Sequence, residues 1–103
     1  MPTISMFFGI IIRMFCKGEH NPPHFHASYQ NYRAVFNFDG EIIEGEMPVR
    51  QTRLIVAWTE LHRDELAANW ELAMDQKQLY KIDPLRYTAK RGDFYAKSGL
   101  VCS

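Results

Sequence analysis

Three histidines fall within seven residues, His20, His24 and His26, around the pair Pro22-Pro23 in the stretch HNPPHFH. An imidazole can present a lone pair or a proton near neutral pH, so such a cluster suits three tasks. In the first, His20, His24 and His26 ligate Zn²⁺ or a similar divalent ion. His24 and His26 share a face on an extended chain, and His20 joins them if Asn21-Pro22-Pro23 turns back. Glu44 serves that ion site as an outer-shell partner or a base. In the second, which needs no metal, His24 and His26 act as general base and general acid, and Arg33, with Arg13 as a further candidate, holds a phosphate. Cleavage of RNA through its 2′-hydroxyl needs such a set. In the third, the histidines hydrogen-bond backbone or water and the Pro-Pro corner is simply rigid. The residue types alone leave all three open.

The elements that must position these side chains are short strands. Each proline removes a backbone donor, and Pro22 disfavours the helical region for Asn21, so no helix runs through this stretch. Downstream, Asp39-Gly40 is a two-residue type I′ hairpin signal. It pairs Phe36 with Ile43, Val35 with Glu44 and Arg33 with Glu46. Gln30-Asn31 predicts a second tight turn, pairing Phe25 with Phe36, Ala27 with Ala34 and Tyr29 with Tyr32. The two registers agree. One face collects Phe25, Ala27, Tyr29, Tyr32, Ala34, Phe36, Phe38 and Ile43. The other collects His24, His26, Ser28, Arg33, Val35, Glu44 and Glu46. Glu44 then lies about 9–10 Å from His26 at the backbone, given a strand spacing of ~4.8 Å. Pairing of Arg33 with Glu46 across the hairpin competes with a phosphate role.

Before the histidines, Ile4, Met6, Phe8, Ile10, Ile12 and Met14 alternate along the chain. They predict one long strand with its even face in the core, Gly9 marking a bulge or bend. Pro48 suits a first helical position, and neither Gly nor Pro interrupts 49–81. Leu54, Ile55, Trp58, Leu61, Leu66, Leu72 and Ala73 form an apolar stripe on one long helix, bent near His62–Asp64 and ending around Asp75–Lys77. Trp58 and Trp70 read as core or interface anchors. Arg50, Arg53 and Arg63 read as a solvated helix face with Glu60, Asp64 and Glu65. Leu79-Tyr80-Lys81-Ile82 predicts a short returning strand, stopped by Pro84. The expected class is therefore α+β: an antiparallel meander of about four strands on one long, bent helix, with a short C-terminal strand. Residues 1–85 make a single domain, and 86–103 a loosely attached tail.

Charge and cysteine content narrow the function classes. The twelve basic and twelve acidic residues are unevenly spread. Residues 1–85 hold eight Lys/Arg against eleven Asp/Glu, and 86–103 hold four against one. A mildly acidic body argues against a whole-domain nucleic-acid footprint, though not against local contact with RNA. Cys16 and Cys102 form no CxxC pair and read as reduced thiols of a cytoplasmic protein. Ile4–Phe15 is too short for a membrane span and carries Arg13, so no membrane partner is expected. Gly-rich phosphate loops, paired-CxxC zinc sites, H-E-x-x-H and nucleophile elbows do not occur in the sequence.

Taken together, MPTISMFFGIIIRMF, HNPPHFHASYQNYRAVF, GEIIEGEMP and RLIVAWTELHRDELAANWELA followed by IDPL resemble a family of small bacterial proteins, the domain of unknown function DUF4160. The resemblance covers about residues 1–85 and carries no established activity. It implies a cytoplasmic protein whose gene often lies beside that of another small uncharacterised domain, a layout similar to toxin–antitoxin pairs. It directs attention to the stretch His20–His26, to Glu44-Gly45-Glu46, and to Trp58, His62 and Trp70. The extension after Leu85 departs from the usual family ending. The leading expectation is a protein that works with a small partner protein, or in a homo-oligomer, through its histidine-bearing sheet face. A metal-dependent or histidine-based hydrolase of RNA or another phosphodiester is the alternative. A plain interaction module with structural histidines is the third.

Overall fold

The apolar opening segment folds back on itself instead of running on as one strand. A computed structural model, which describes residues 2–15 and 22–86, divides it into β1 (Thr3–Phe7) and β2 (Ile10–Arg13). Phe8 and Gly9 both have positive φ, 50° and 81°, the combination of a tight type I′ hairpin turn, and Phe7 pairs with Ile10. This hairpin reverses the expected parity. Phe7 is buried while Met6 and Phe8 are exposed, and a bulge between Thr3 and Ser5 turns both Ile4 and Ser5 inward. The expected even face survives only at Ile4, Ile10, Ile12 and Met14.

Three further strands complete the sheet: β3 (His24–Tyr29), β4 (Tyr32–Asn37) and β5 (Ile42–Gly45). All five are antiparallel and lie in chain order, so the sheet has five strands, not about four. The register of β3 on β4 is the expected one, with Phe25 opposite Phe36, Ala27 opposite Ala34 and Tyr29 opposite Tyr32. The next hairpin departs from expectation. Its loop has three residues, closed by the Asn37 amide donating to the Glu41 carbonyl at 2.9 Å, with Gly40 left-handed at φ 85°. That loop slips the register by one, pairing Phe36 with Ile42 rather than Ile43. A bulge then restores it, so Val35 does face Glu44, while Ile43 is left exposed. Asn37 fastens the turn: its Oδ1 accepts the amides of Asp39 and Glu41 at 2.9 and 3.0 Å.

The expected long helix is two: α1 (Val49–Leu61) and α2 (Arg63–Met74), joined at His62. Pro48 is the capping residue rather than the first helical one, and its carbonyl accepts the Thr52 amide at 2.8 Å. The break needs neither Gly nor Pro. Buried Thr59 donates its hydroxyl to the Ile55 carbonyl at 2.7 Å, a back-bond that bends helices. The His62 amide is shared between the carbonyls of Trp58 and Thr59. The apolar stripe is buried at Ile55, Trp58, Leu66 and Ala73 but not at Leu61, which the break turns outward. On the exposed side Arg63 reaches Asp39 at 2.5 Å and Glu60 at 3.7 Å, surface pairs of the kind that add little stability.

The core lies between the helices and one face of the sheet. Phe25, fully buried, stacks on Phe36 at 5.6 Å and meets Trp58 edge-on at 5.7 Å. Residues 79–82 do not form the expected strand. A lone ladder-like bond, from the Ile82 amide to the Ile4 carbonyl at 2.8 Å, sets them beside β1. They are held by side chains: Asn69 donates to the Tyr80 carbonyl at 2.8 Å and accepts its amide at 3.0 Å, and Trp58 donates to the Asp83 carbonyl at 2.9 Å. Asn69 is only 2% exposed, so Asn69→Ala strands two backbone groups. Urea denaturation should show a loss of about 1–3 kcal/mol; an unchanged midpoint would mean that 79–82 docks without it. Among the described residues no helix is long and apolar enough to cross a membrane. The proposed tail, beyond Arg86, lies outside the described residues, as do Cys16 and Cys102.

Candidate functional site

The face of the sheet away from Phe25 and Phe36 carries the chemistry. Cross-strand pairing lines up two rows on it. One runs Met6, Ile11, Ser28, Arg33 and the other Arg13, His26, Val35, Glu44. His26 and Glu44 thus occupy one row, two strands apart, or about 9–10 Å at the backbone. Between and around these rows lies a cavity of about 270 Å³, lined mainly by Arg13, Phe15, His26, Arg33, Val35 and Glu44.

His26 stands in the middle of it, with the edge of Phe15 packed on its ring at a centroid distance of 4.3 Å. His24 begins β3 on the same side, its ring 5.4 Å from that of His26. Its Nδ1 lies 2.8 Å from the Pro22 carbonyl. A carbonyl can only accept, so Nδ1 carries the proton and the neutral ring keeps its lone pair on Nε2. The Pro-Pro corner therefore fixes the tautomer of the first strand histidine. Trp70, from α2, packs 5.2 Å from the His24 ring and 6.3 Å from Phe38. Nothing in the sequence pairs Trp70 with His24, because the contact depends on where α2 is turned after the break at His62.

Arg33 makes no salt bridge to Glu46 among the described residues, contrary to the expected cross-hairpin pairing. The reason is backbone geometry. Gly45, the last residue of β5, has φ 85°, and the Glu46 amide still donates to the Arg33 carbonyl at 2.9 Å, so the two residues meet through backbone and not through their charged ends. Arg13 donates to Ser28 Oγ at a long 3.4 Å and has no carboxylate partner among the described residues.

His20 and Asn21 lie outside the described residues, so the three-histidine arrangement is represented by His24 and His26 alone. Their ring separation is compatible with a shared ion at ~2.0–2.1 Å bond lengths. Among the described residues, however, no three His, Cys, Asp or Glu side chains converge as a metal site would require. His62 is paired within the helices: its Nδ1 is 2.6 Å from Glu65 Oε1, and its ring lies 5.7 Å from Trp58. It belongs to the helix junction and not to the sheet face.

A family model described as Domain of unknown function (DUF4160) matches residues 9–71. The chain belongs to this family. The match spans the rows from Ile10 through β5, both tryptophans and the helix junction, so the DUF4160 unit contains the whole candidate site. It ends inside α2, before the 79–82 segment. Neither a curated protein nor a solved structure matches the chain.

Proposed function

We propose that this DUF4160 protein is a binding protein that works with a small partner protein, in a toxin–antitoxin-like or regulatory pair, through the open face of its sheet. The supporting observation is the asymmetry of the sheet. One face is sealed by the helices, while the other offers a cavity of about 270 Å³ with Arg13, Arg33 and Glu44 beside the apolar walls Phe15 and Val35. Mixed apolar and charged surface with arginine and aromatic groups is what interfaces favour. The test is co-expression with the product of the adjacent gene, followed by size exclusion with light scattering. The wild type forms a complex; the double variant Arg33→Glu, Val35→Glu weakens it at least tenfold, and Glu71→Arg on the helix side leaves it unchanged. Full-strength binding by the double variant would contradict the proposal.

A second function, RNA hydrolysis by a histidine pair, is favoured by one observation, the 5.4 Å approach of the His24 and His26 rings on a face that also carries two arginines. It ranks below the first because Glu44 lies about 9–10 Å from His26 at the backbone, too far to share a proton with the pair. Purified protein that cleaves RNA, and loses the activity in both His24→Ala and His26→Ala, would reverse the order.

A further inference from the structure

We infer that the open-face cavity is a receptor for the free C-terminal carboxylate of a partner polypeptide ending in an apolar residue. The inference rests on the partner-binding function proposed above and names the chemistry that the site recognises.

Charge complementarity carries it. Arg13 and Arg33 line the cavity, and neither has a carboxylate within salt-bridge distance among the described residues. A guanidinium offers a planar fork of donors matched to a carboxylate. Among the described residues, Glu44 is the one acidic side chain lining the same cavity. Two guanidinium groups against one carboxylate leave a net charge of +1 before His26 is counted, which suits a monoanion better than a dianionic phosphate. Glu44 also repels a ligand with charge spread over its whole surface, so the anionic group must be confined to the arginine side.

Shape supplies the rest. The arginines approach from different rows, Arg13 beside His26 and Arg33 beside Ser28, and Arg13 reaches Ser28, so a group between them sits over Ser28 and His26, next to Val35. Phe15 stands edge-on to His26 as an apolar wall, and Val35 forms apolar floor. An apolar side chain fits against these two while its own α-carboxylate meets the guanidiniums. About 270 Å³ is just below the size of ordinary small-molecule pockets and admits a terminal residue rather than a folded surface. On the β5 side the lining includes Gly45, which contributes no side chain to the cavity. β5 itself is a poor docking edge for another strand. It is short and bulged, carries Glu44 and is flanked by Glu41 and Glu46, the devices that discourage strand addition, so the partner is expected to enter end-on.

The test is a titration of the full ¹⁵N-labelled chain with acetyl-Ala-Leu bearing a free C-terminus, read from amide shifts. The expected result is movement of the His26, Val35 and Gly45 signals with a Kd on the order of 1 mM, typical of a short fragment. Acetyl-Ala-Leu amide and the Arg33→Gln variant should each bind at least tenfold more weakly, Arg33→Lys should keep part of the affinity, and Glu44→Gln should tighten binding. Equal binding of the amide, an unaffected Arg33→Gln, or tighter binding of inorganic phosphate or acetate at the same signals overturns the inference. A partner complex that survives in Arg13→Gln, Arg33→Gln overturns it too, while leaving the open face as the binding surface. Loss of the partner complex in the Val35 variant with no response to the dipeptide likewise rejects the carboxylate receptor alone.

Discussion

Trp58→Ala is expected to cost about 3–5 kcal/mol, the usual range for removing a buried tryptophan. For a domain of this size, with total stability of roughly 5–15 kcal/mol, that is enough to leave the chain largely unfolded at the lower end. Trp58 is 0% exposed and touches every layer of the core: Phe7 at 5.4 Å in the first hairpin, Phe25 at 5.7 Å in the central strand and His62 at 5.7 Å at the helix junction. Its indole N–H also fastens the Asp83 carbonyl at 2.9 Å, tying the segment after α2 to α1. Trp58→Phe separates the two contributions. It keeps most of the ring packing and loses the hydrogen bond, so about 1 kcal/mol or slightly more should be lost. Thermal and urea denaturation give both numbers; a Trp58→Ala protein as stable as the Phe variant would show that the core does not close around this ring.

Gly45→Ala carries the second large effect, and it acts on the site as well as on stability. Gly45 sits at φ 85°, where an L side chain is strained, and a Cβ there would run into the Arg33 carbonyl oxygen and within 3.0 Å of the Ala34 Cα. Both obstacles are backbone, so no rotamer change relieves them. A loss of roughly 2–3 kcal/mol is expected, from strain and displaced pairing together. Because Arg33, Ala34, Glu44 and Gly45 all border the cavity, the displacement of β5 should also move Glu44 away from its row. Binding at the open face should fall even where the variant remains folded. A folded Gly45→Ala protein with unchanged stability would mean that β5 is not held against β4 as described.

The part of the fold that positions the histidines was legible because period-two alternation and turn chemistry agree there. Burial of Phe25, Ala27, Ala34 and Phe36 follows from the same alternation that sets His26, Arg33, Val35 and Glu44 on the other side. Even the misjudged loop at Asp39-Gly40 left the Val35–Glu44 pair intact, since the bulge at Ile43 cancels the extra loop residue. The first hairpin was hidden because its turn places Phe8, a bulky aromatic, in the left-handed region, which sequence reasoning assigns to Gly, Asn or Asp. Only Gly9 hinted at it. The helix break at His62 was visible as a bend but not as two helices, because it lies in the backbone of His62 itself, at φ −120° with its amide shared between two carbonyls, and the residue type carries no breaker signature. Asn69 was missed for a related reason. A polar residue within an apolar stripe becomes a backbone clamp only when a later segment returns to it, and the sequence does not announce that return.

Whether the open sheet face is the working surface can be measured directly by comparing the ¹⁵N–¹H spectra of the full chain alone and mixed with the partner proposed for it, the product of an adjacent gene. The account predicts shifts concentrated at Arg13, His26, Arg33, Val35 and Glu44, with α1 and α2 little changed. Shifts confined to exposed helix positions such as Val56, Leu61 and Met74, with the sheet face silent, would contradict it.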